Sequence, residues 1–435
     1  MPDSGREFDV VIVGAGPAGI AAACRAAEAG RRSIVVDEGL GPGGQIWRPS
    51  VRGPHGRAAA AVHWILRLET SRAIVQRSTS VFDIRRLATG GFLISGEQDG
   101  RAFEVTGRAI VLATGARERF LPFPGWTLPN VVGIGGAQAL LKAGTSFDEK
   151  RVVIAGSGPL LLPVAASLAK SGAKVALVAE QAASRNVRGF AVSLWRRPAT
   201  LMQAALLRSA FLTTRYATGT WVVSARGDLS VREVTITDGA SNSVIACDYL
   251  CVAFGLVPNT ELARLLGCEV EHGQVSVDAT QATTVVGVYC AGEPTGIGGV
   301  DLSIVEGQIA GLAASGQPVS ASLVARAARL RREASRMDAA FALRPELRTL
   351  AEPGTVVCRC EDVRLRELNP RWTSRQAKLY TRAGMGPCQG RVCGAALEFL
   401  MGWSPDSVRP PAQPARLGSL ISEIAASSSI EHGAH

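Results

Sequence analysis

The chain has no apolar run of the roughly 18 residues that a membrane-spanning helix needs, which argues against a transmembrane segment. It also lacks a basic leader followed by an apolar stretch and a cleavage site; the segment before Val10 is short and polar. No signal peptide is read there, and a cytoplasmic protein is expected. Aromatic residues are only 5% of the chain, so its cores must be built from small aliphatics, and the 48 glycines suit an Ala/Val/Leu/Gly-rich α/β architecture. Histidine is scarce too. His55, His63, His272, His432 and His435 form no cluster, and surface or packing roles are expected of all five. The net charge of +10 is not gathered into a basic block, and 37 acids are interspersed with the arginines. Nucleic acid is therefore not an expected partner, whereas a basic surface can meet an acidic subunit. A chain of 435 residues should fold as two or three domains.

What the sequence does have is nine cysteines in two groups. Cys24, Cys247, Cys251, Cys268 and Cys290 lie in apolar strand or helix patterns and read as small core hydrophobes. Cys358-Arg-Cys360 and the Gly-rich stretch holding Cys388 and Cys393 form instead a C-x-C…C-x4-C set. Four thiolates can hold zinc or a [2Fe–2S] cluster. Zinc knuckles favour C-x2-C, and the wider Gly-rich loop leaves room for the larger group. Glycines 384, 386, 390 and 394 would also offer N–H groups to the sulfurs. The cluster is the favoured reading, with Cys358, Cys360, Cys388 and Cys393 as ligands.

At the other end, Asp9-Val-Val-Ile-Val13 predicts a buried parallel strand. It runs into Gly14-Ala15-Gly16-Pro17-Ala18-Gly19 and an Ala-rich helix, then into Ser33-Ile-Val-Val36 and the acids Asp37 and Glu38. This is a full dinucleotide fingerprint of the flavin type. Gly14 makes the turn, Gly16 lets backbone approach a pyrophosphate, and Gly19 allows close packing of helix on strand. The acid about 20 residues on is the ribose ligand, Asp37 rather than Glu38. A second unit repeats the topology from Arg151 to Val178, but Leu161 stands at the third glycine position and Glu180 falls one residue late for the ribose acid. Leu161 is expected to push the helix off the strand and crowd a pyrophosphate. A degenerate site is favoured over a working NAD(P) site.

Several segments resemble those of known flavoproteins. Gly43-Gly44-Gln45-Ile46-Trp47, Ala113-Thr114-Gly115 and Ala291-Gly292-Glu293 resemble flavin-contacting motifs of the two-dinucleotide-domain reductases, with Glu293 where those enzymes usually carry Asp. The order of the whole chain resembles the α (A-type) subunits of bacterial multi-subunit amine dehydrogenases, among them opine oxidases, D-hydroxyproline dehydrogenase and hydrogen cyanide synthase. That resemblance rests on Leu121-Pro-Phe-Pro-Gly-Trp126-Thr-Leu-Pro129, Gly158-Pro-Leu-Leu-Leu162, Gly292-Glu293-Pro-Thr-Gly-Ile-Gly-Gly299 and Cys358-Arg-Cys360-Glu361-Asp-Val363.

The resemblance implies an α/β fold with two Rossmann-like dinucleotide-binding domains and a small C-terminal module like bacterioferritin-associated ferredoxin. The expected boundaries are 1–119 with 278–325 for the flavin domain and 120–277 for the second nucleotide domain. A linker helix at 326–350, a cysteine module at 351–405 and a Pro-rich tail at 406–435 follow, with the end from Ser428 expected to be disordered. Implied FAD contacts are Gly14, Gly16, Pro17, Ala18, Gly19, Asp37, Glu38, Gly44, Gln45, Val81, Thr114, Gly115, Gly292 and Glu293. The cofactors would be FAD and [2Fe–2S], with a second nucleotide (NAD or ATP) or an interfacial FMN left open. Partners would be a flavin β-subunit resembling D-amino-acid oxidases, an acceptor such as a quinone, and a small ferredoxin-like γ-subunit; membrane association would come only through the complex. Catalytic acid–base residues are not expected on this chain. The competing readings are a stand-alone NAD(P)H-dependent reductase of the ferredoxin-reductase type and a non-enzymatic redox scaffold or sensor.

Overall fold

The computed structural model describes residues 7–48, 59–196, 198–211, 213–404 and 408–421. The leader before Glu7, His55, His432, His435 and the tail from Ser428 lie outside these residues. His63 and His272 are exposed, as expected.

The Glu7–Val13 strand is buried on both faces because parallel neighbours flank it, with Val11 opposite Ile34 on one side and Ile110 on the other. Continuous β-branched side chains suit a strand with no solvent face. The flavin-side sheet runs Ile74–Gln76, Ser33–Val36, Glu7–Val13, Arg101–Leu112, Phe92–Gln98, Thr79–Arg86, and Val288–Cys290 joins Arg101–Leu112 in parallel. The Pro17–Glu28 helix packs on the Gly299–Ala314 helix. A Cβ at Gly307 or Gly311 would collide with the backbone of Ala18 or Ala22. The Ala- and Gly-rich composition is thus what lets these two helices approach.

The second sheet is fully parallel, in the order Arg215–Thr218, Lys174–Glu180, Arg151–Gly156, Tyr249–Ala253, Val131–Gly133. An antiparallel layer of Trp221–Arg226, Glu233–Thr237 and Asn242–Ala246 follows the Arg215–Thr218 strand in the chain. The chain crosses between the two units through the antiparallel pair Ala116–Glu118 and Leu256–Pro258. This corrects the expected boundary at 277. Leu262, Ala263, Cys268 and Val275 lie in the flavin-side core with Phe8, Val11 and Ile110, because the chain has already returned at Leu256–Pro258.

The linker region resolves into an Ala321–Ala340 helix and a 3-10 turn at Pro345–Thr349. The cysteine module has its own core of Val357, Val363, Leu368, Ala377, Leu397 and Trp403 around Cys358 and Cys393. The Pro-rich tail is not merely a tail. Ala412 donates its N–H to Phe82 O (2.7 Å) and is buried beside Val81 and Ile84. The Arg416 N–H and the Ser419 hydroxyl both donate to Glu97 Oε2 (2.8 and 2.9 Å). Residues 408–421 therefore run back across the flavin-side sheet as a strap.

Candidate functional site

The first glycine turn is open. Gly14 has φ +105°, and a Cβ there would strike Ala113 O; a Cβ at Gly19 would strike Gly14 O. A Cβ at Gly16 would meet nothing within 4 Å. Gly16 is the N-cap of the Pro17–Glu28 helix and no side chain caps that end, so the positive end of the helix dipole faces free space. Asp37 Oδ2 accepts from Ala15 N (2.6 Å) and Oδ1 from Gly39 N (2.7 Å), which places the acid beside the turn; Glu38 is exposed. Gly43 N donates to Ala15 O (2.8 Å), and a Cβ on Gly44 would come to 3.0 Å from Gly16 Cα, so this loop abuts the turn while Gln45 is exposed. Val81 was expected as a further contact. Its side chain is in the core, only 4% exposed, so it has only its backbone to offer a ligand.

Thr114 and Gly115 adjoin the same turn and are fixed by Asn259, a residue that sequence reasoning did not single out. Asn259 Nδ2 donates to Thr114 O (2.9 Å), its N–H to Gly115 O (3.0 Å), and Thr114 Oγ1 donates to Asn259 O (2.7 Å). Arg117 Nη1 donates to Asn259 Oδ1 (2.6 Å) and pairs with Glu261 at 2.9 Å. Gly292 N donates to Glu306 Oε2 (2.9 Å), and Glu306 is itself paired with Arg331 (2.8 Å). Glu293 Oε1 accepts from Gly299 N (3.1 Å), but its buried Oε2 has no partner among the described residues. Burial pushes the Glu293 carboxyl up to about 7, against the lowering effect of the Gly299 and Gly298 amides.

The second glycine turn is closed by the chain itself. Gly156, Ser157 and Gly158 are all buried. Ser157 Oγ donates to Phe341 O (2.7 Å), Gln181 Nε2 donates to Ser157 Oγ (2.8 Å) and Ala342 O (3.1 Å), and Arg344 N donates to Gln181 Oε1 (3.1 Å). Arg344 also stacks over Trp221, its Cζ 3.6 Å from a ring centre. Glu180 Oε2 accepts from Gly158 N (2.8 Å), so a carboxylate already holds an amide that would face a pyrophosphate. A bulge between Val175 and Leu177 accounts for its arriving one residue late. Leu161 departs from expectation: it is wholly buried in the domain core with Val152 and Ile154, not pushed into ligand space. The segment 341–344 closes this site instead.

The cysteines divide as their spacing suggests. Cys24, Cys247, Cys251, Cys268 and Cys290 are buried, and desolvation pushes Cys24 and Cys247 up to about 11 and Cys251 to about 12. Cys358, Cys360, Cys388 and Cys393 line one cavity of about 290 Å³ with Phe120, Trp126, Arg359 and Val392. They form two pairs. The Cys393 thiol donates toward Cys358 and, with the Gly384 amide (3.4 Å from its sulfur), holds it down at about 6; Cys360 faces Cys388. Gly386 permits this approach, since a Cβ there would collide with Cys360 Cβ. Among the described residues, no three or more His, Cys, Asp or Glu groups converge as a single-ion site.

The pyridine nucleotide-disulphide oxidoreductase family model matches residues 8–311. The chain is 32% identical to the opine oxidase A-type component of Agrobacterium tumefaciens over 95% of its length and 91% of that protein's. It is 30% identical to hydrogen cyanide synthase subunit HcnB of Pseudomonas aeruginosa over 88% of this chain and 90% of that one. Among solved structures, L-proline dehydrogenase from P. horikoshii superposes with a TM-score of 0.68 at 20% identity, covering 95% of this chain and 79% of that one. Thioredoxin reductase from T. acidophilum gives 0.58 at 23%, covering 72% of this chain and 98% of that one.

The chain belongs to the pyridine nucleotide-disulphide oxidoreductase family and, within it, to the family of the opine oxidase A-type subunits. It is an FAD-dependent oxidoreductase. The residues at the first turn fit such a cofactor: an uncapped helix end, open space at Gly16 and an unpartnered carboxylate oxygen on Glu293.

Proposed function

We propose that this chain is the FAD- and [2Fe–2S]-containing electron-transfer subunit of a heteromeric amine or amino-acid dehydrogenase. The observation that carries the reading is the gathering of four thiols around one cavity, on a loop tethered to the open glycine turn through Arg117. Four thiolates around a cavity of this size suit a cluster of two irons, each taking two of them. A flavin at the first turn would accept electrons in pairs, and a cluster held by Cys358, Cys360, Cys388 and Cys393 would pass them on singly.

The chain's own residues bind and orient. Gly16 and the helix N-terminus would take the pyrophosphate, Asp37 the ribose, and Glu293 the flavin side chain through its free oxygen. Phe341 to Arg344 keep a nicotinamide nucleotide out of the second turn, so reducing equivalents must come from elsewhere. The names of the relatives, which are subunits, point to a partner polypeptide as that source. There a D-amino-acid-oxidase-like β-subunit would oxidise a secondary amine, an opine or D-hydroxyproline, to an imine that hydrolyses. A quinone would receive the electrons, directly or through a ferredoxin-like γ-subunit. The complex would sit in the cytoplasm; separately, no helix among the described residues is long and apolar enough to cross a membrane.

The test is anaerobic. The flavin absorbance of this chain should bleach when the β-subunit is present together with amine, and should persist with NADH or NADPH alone. Rapid bleaching by NADPH alone would establish the stand-alone reductase instead.

A further inference from the structure

The loop between Cys388 and Cys393 is gripped from two sides by the flavin half of the molecule, and both grips meet at Arg391. Its carbonyl accepts from Arg117 Nε (3.1 Å), and the same guanidinium's Nη1 holds both Asn259 and Glu261 beside the Thr114–Gly115 turn. Its side chain reaches the opposite way, with Nη2 donating to Ala412 O (2.6 Å). Ala412 is in turn bonded to Phe82 of the flavin-side sheet, and the strap beyond it is anchored on Glu97. Arg117 is drawn substantially out of water, which depresses its basicity, and Glu261 compensates. A desolvated guanidinium held by several protein groups is costly to build, and Arg117 serves no glycine turn directly.

We propose that Arg391 and Arg117 are positioning residues. Together with the 408–421 strap they fix the cysteine loop against the flavin turn and so set the rate of electron transfer between the two centres. The inference rests on the function proposed above. A rigid support of this kind matters because a redox site works only when its supporting shell holds it in place. The Arg117 guanidinium also lies within electrostatic reach of Cys388, and a positive charge there favours the more negative, reduced state of whatever the thiols hold.

The experiment compares wild type with Arg391→Gln and, to separate positioning from folding of the loop, with Ala412→Pro, which removes the N–H to Phe82 O without changing any residue of the cysteine module. Iron and flavin content, backbone hydrogen exchange of the strap, and the rate of flavin-to-cluster transfer after rapid reduction are measured on the full chain. The expected result is unchanged iron and flavin, faster exchange at 408–421, and transfer slowed about tenfold in both variants. Faster strap exchange with an unchanged transfer rate would overturn the proposal. Wild-type protein without iron would overturn the electron-transfer reading as well, and iron content alone separates the two failures.

Discussion

The turn at Gly14–Gly19 and the turn at Gly156–Leu161 each end a parallel strand, begin a helix, and receive a carboxylate from 22 residues further on. In the first, Gly14 and Gly16 are partly exposed and Asp37 leaves the helix end free. In the second, all three leading residues are buried, Glu180 is sealed against Gly158, and Phe341, Ala342 and Arg344 occupy the approach. A glycine fingerprint specifies a shape, but whether that shape binds anything depends on what distant chain segments do. The second turn is hydrogen-bonded to the arm that leads to the cysteine module.

The sharpest way to break the comparison is to place the same kind of obstruction in both turns. Gly16→Val should leave fold and melting of the apoprotein unchanged, because its Cβ faces open space, while bound flavin falls at least roughly tenfold. Gly158→Ala should do the reverse. At φ +102° it should cost about 1–3 kcal/mol of stability, with flavin content intact. Flavin retained in the first variant, or lost in the second, would mean the open turn has been misidentified.

A pH dependence separates the turns next. Burial lifts Glu180 to about 7 from an ordinary value of 4.5, so the folded state binds the extra proton between those limits. Stability contributed by this group is therefore present at low pH and lost as pH rises from about 4.5 to 7, by up to ~3 kcal/mol. Glu293 at the first turn adds a similar slope in the apoprotein. Urea midpoints followed across this range should decline more gently in Glu180→Gln than in wild type. Parallel curves would show that Glu180 is not the sealed carboxylate described.

A further effect, confined to stability, is expected at the plug. Gln181→Ala removes the bonds to Ser157, Ala342 and Arg344 and should cost about 1–3 kcal/mol in urea unfolding. It should not confer reduction by NADH, since Glu180 still holds the Gly158 amide. NADH-dependent bleaching in this variant would show the plug to be the sole barrier.

Much of this was legible in the sequence because it is local. Gly14, Gly16, Gly19 and Asp37 fall within one βαβ unit, and the spacing from Cys358 to Cys360 and from Cys388 to Cys393 is short. Leu161 was expected to crowd the second turn, but that side chain fits the core, and the contact made there comes from a segment 184 positions beyond Ser157. The strap was missed because a Pro-rich stretch with few apolar residues carries no periodic signal, and its anchors on Phe82 and Glu97 are long-range. Asn259 and Arg117 were missed for the same reason. The one clue to them was the extended Leu256–Pro258 stretch after a Gly, which marks the chain's return to the flavin side.

The most direct test of the central claim is the iron, acid-labile sulfide and flavin content of the anaerobically purified chain, read with its EPR spectrum after dithionite reduction. The expected result is about two iron, two sulfide and one flavin per chain, with a reduced-cluster signal that disappears in Cys388→Ser while the flavin remains. Stoichiometric zinc with no sulfide would contradict it, leaving the four thiols as a structural clamp.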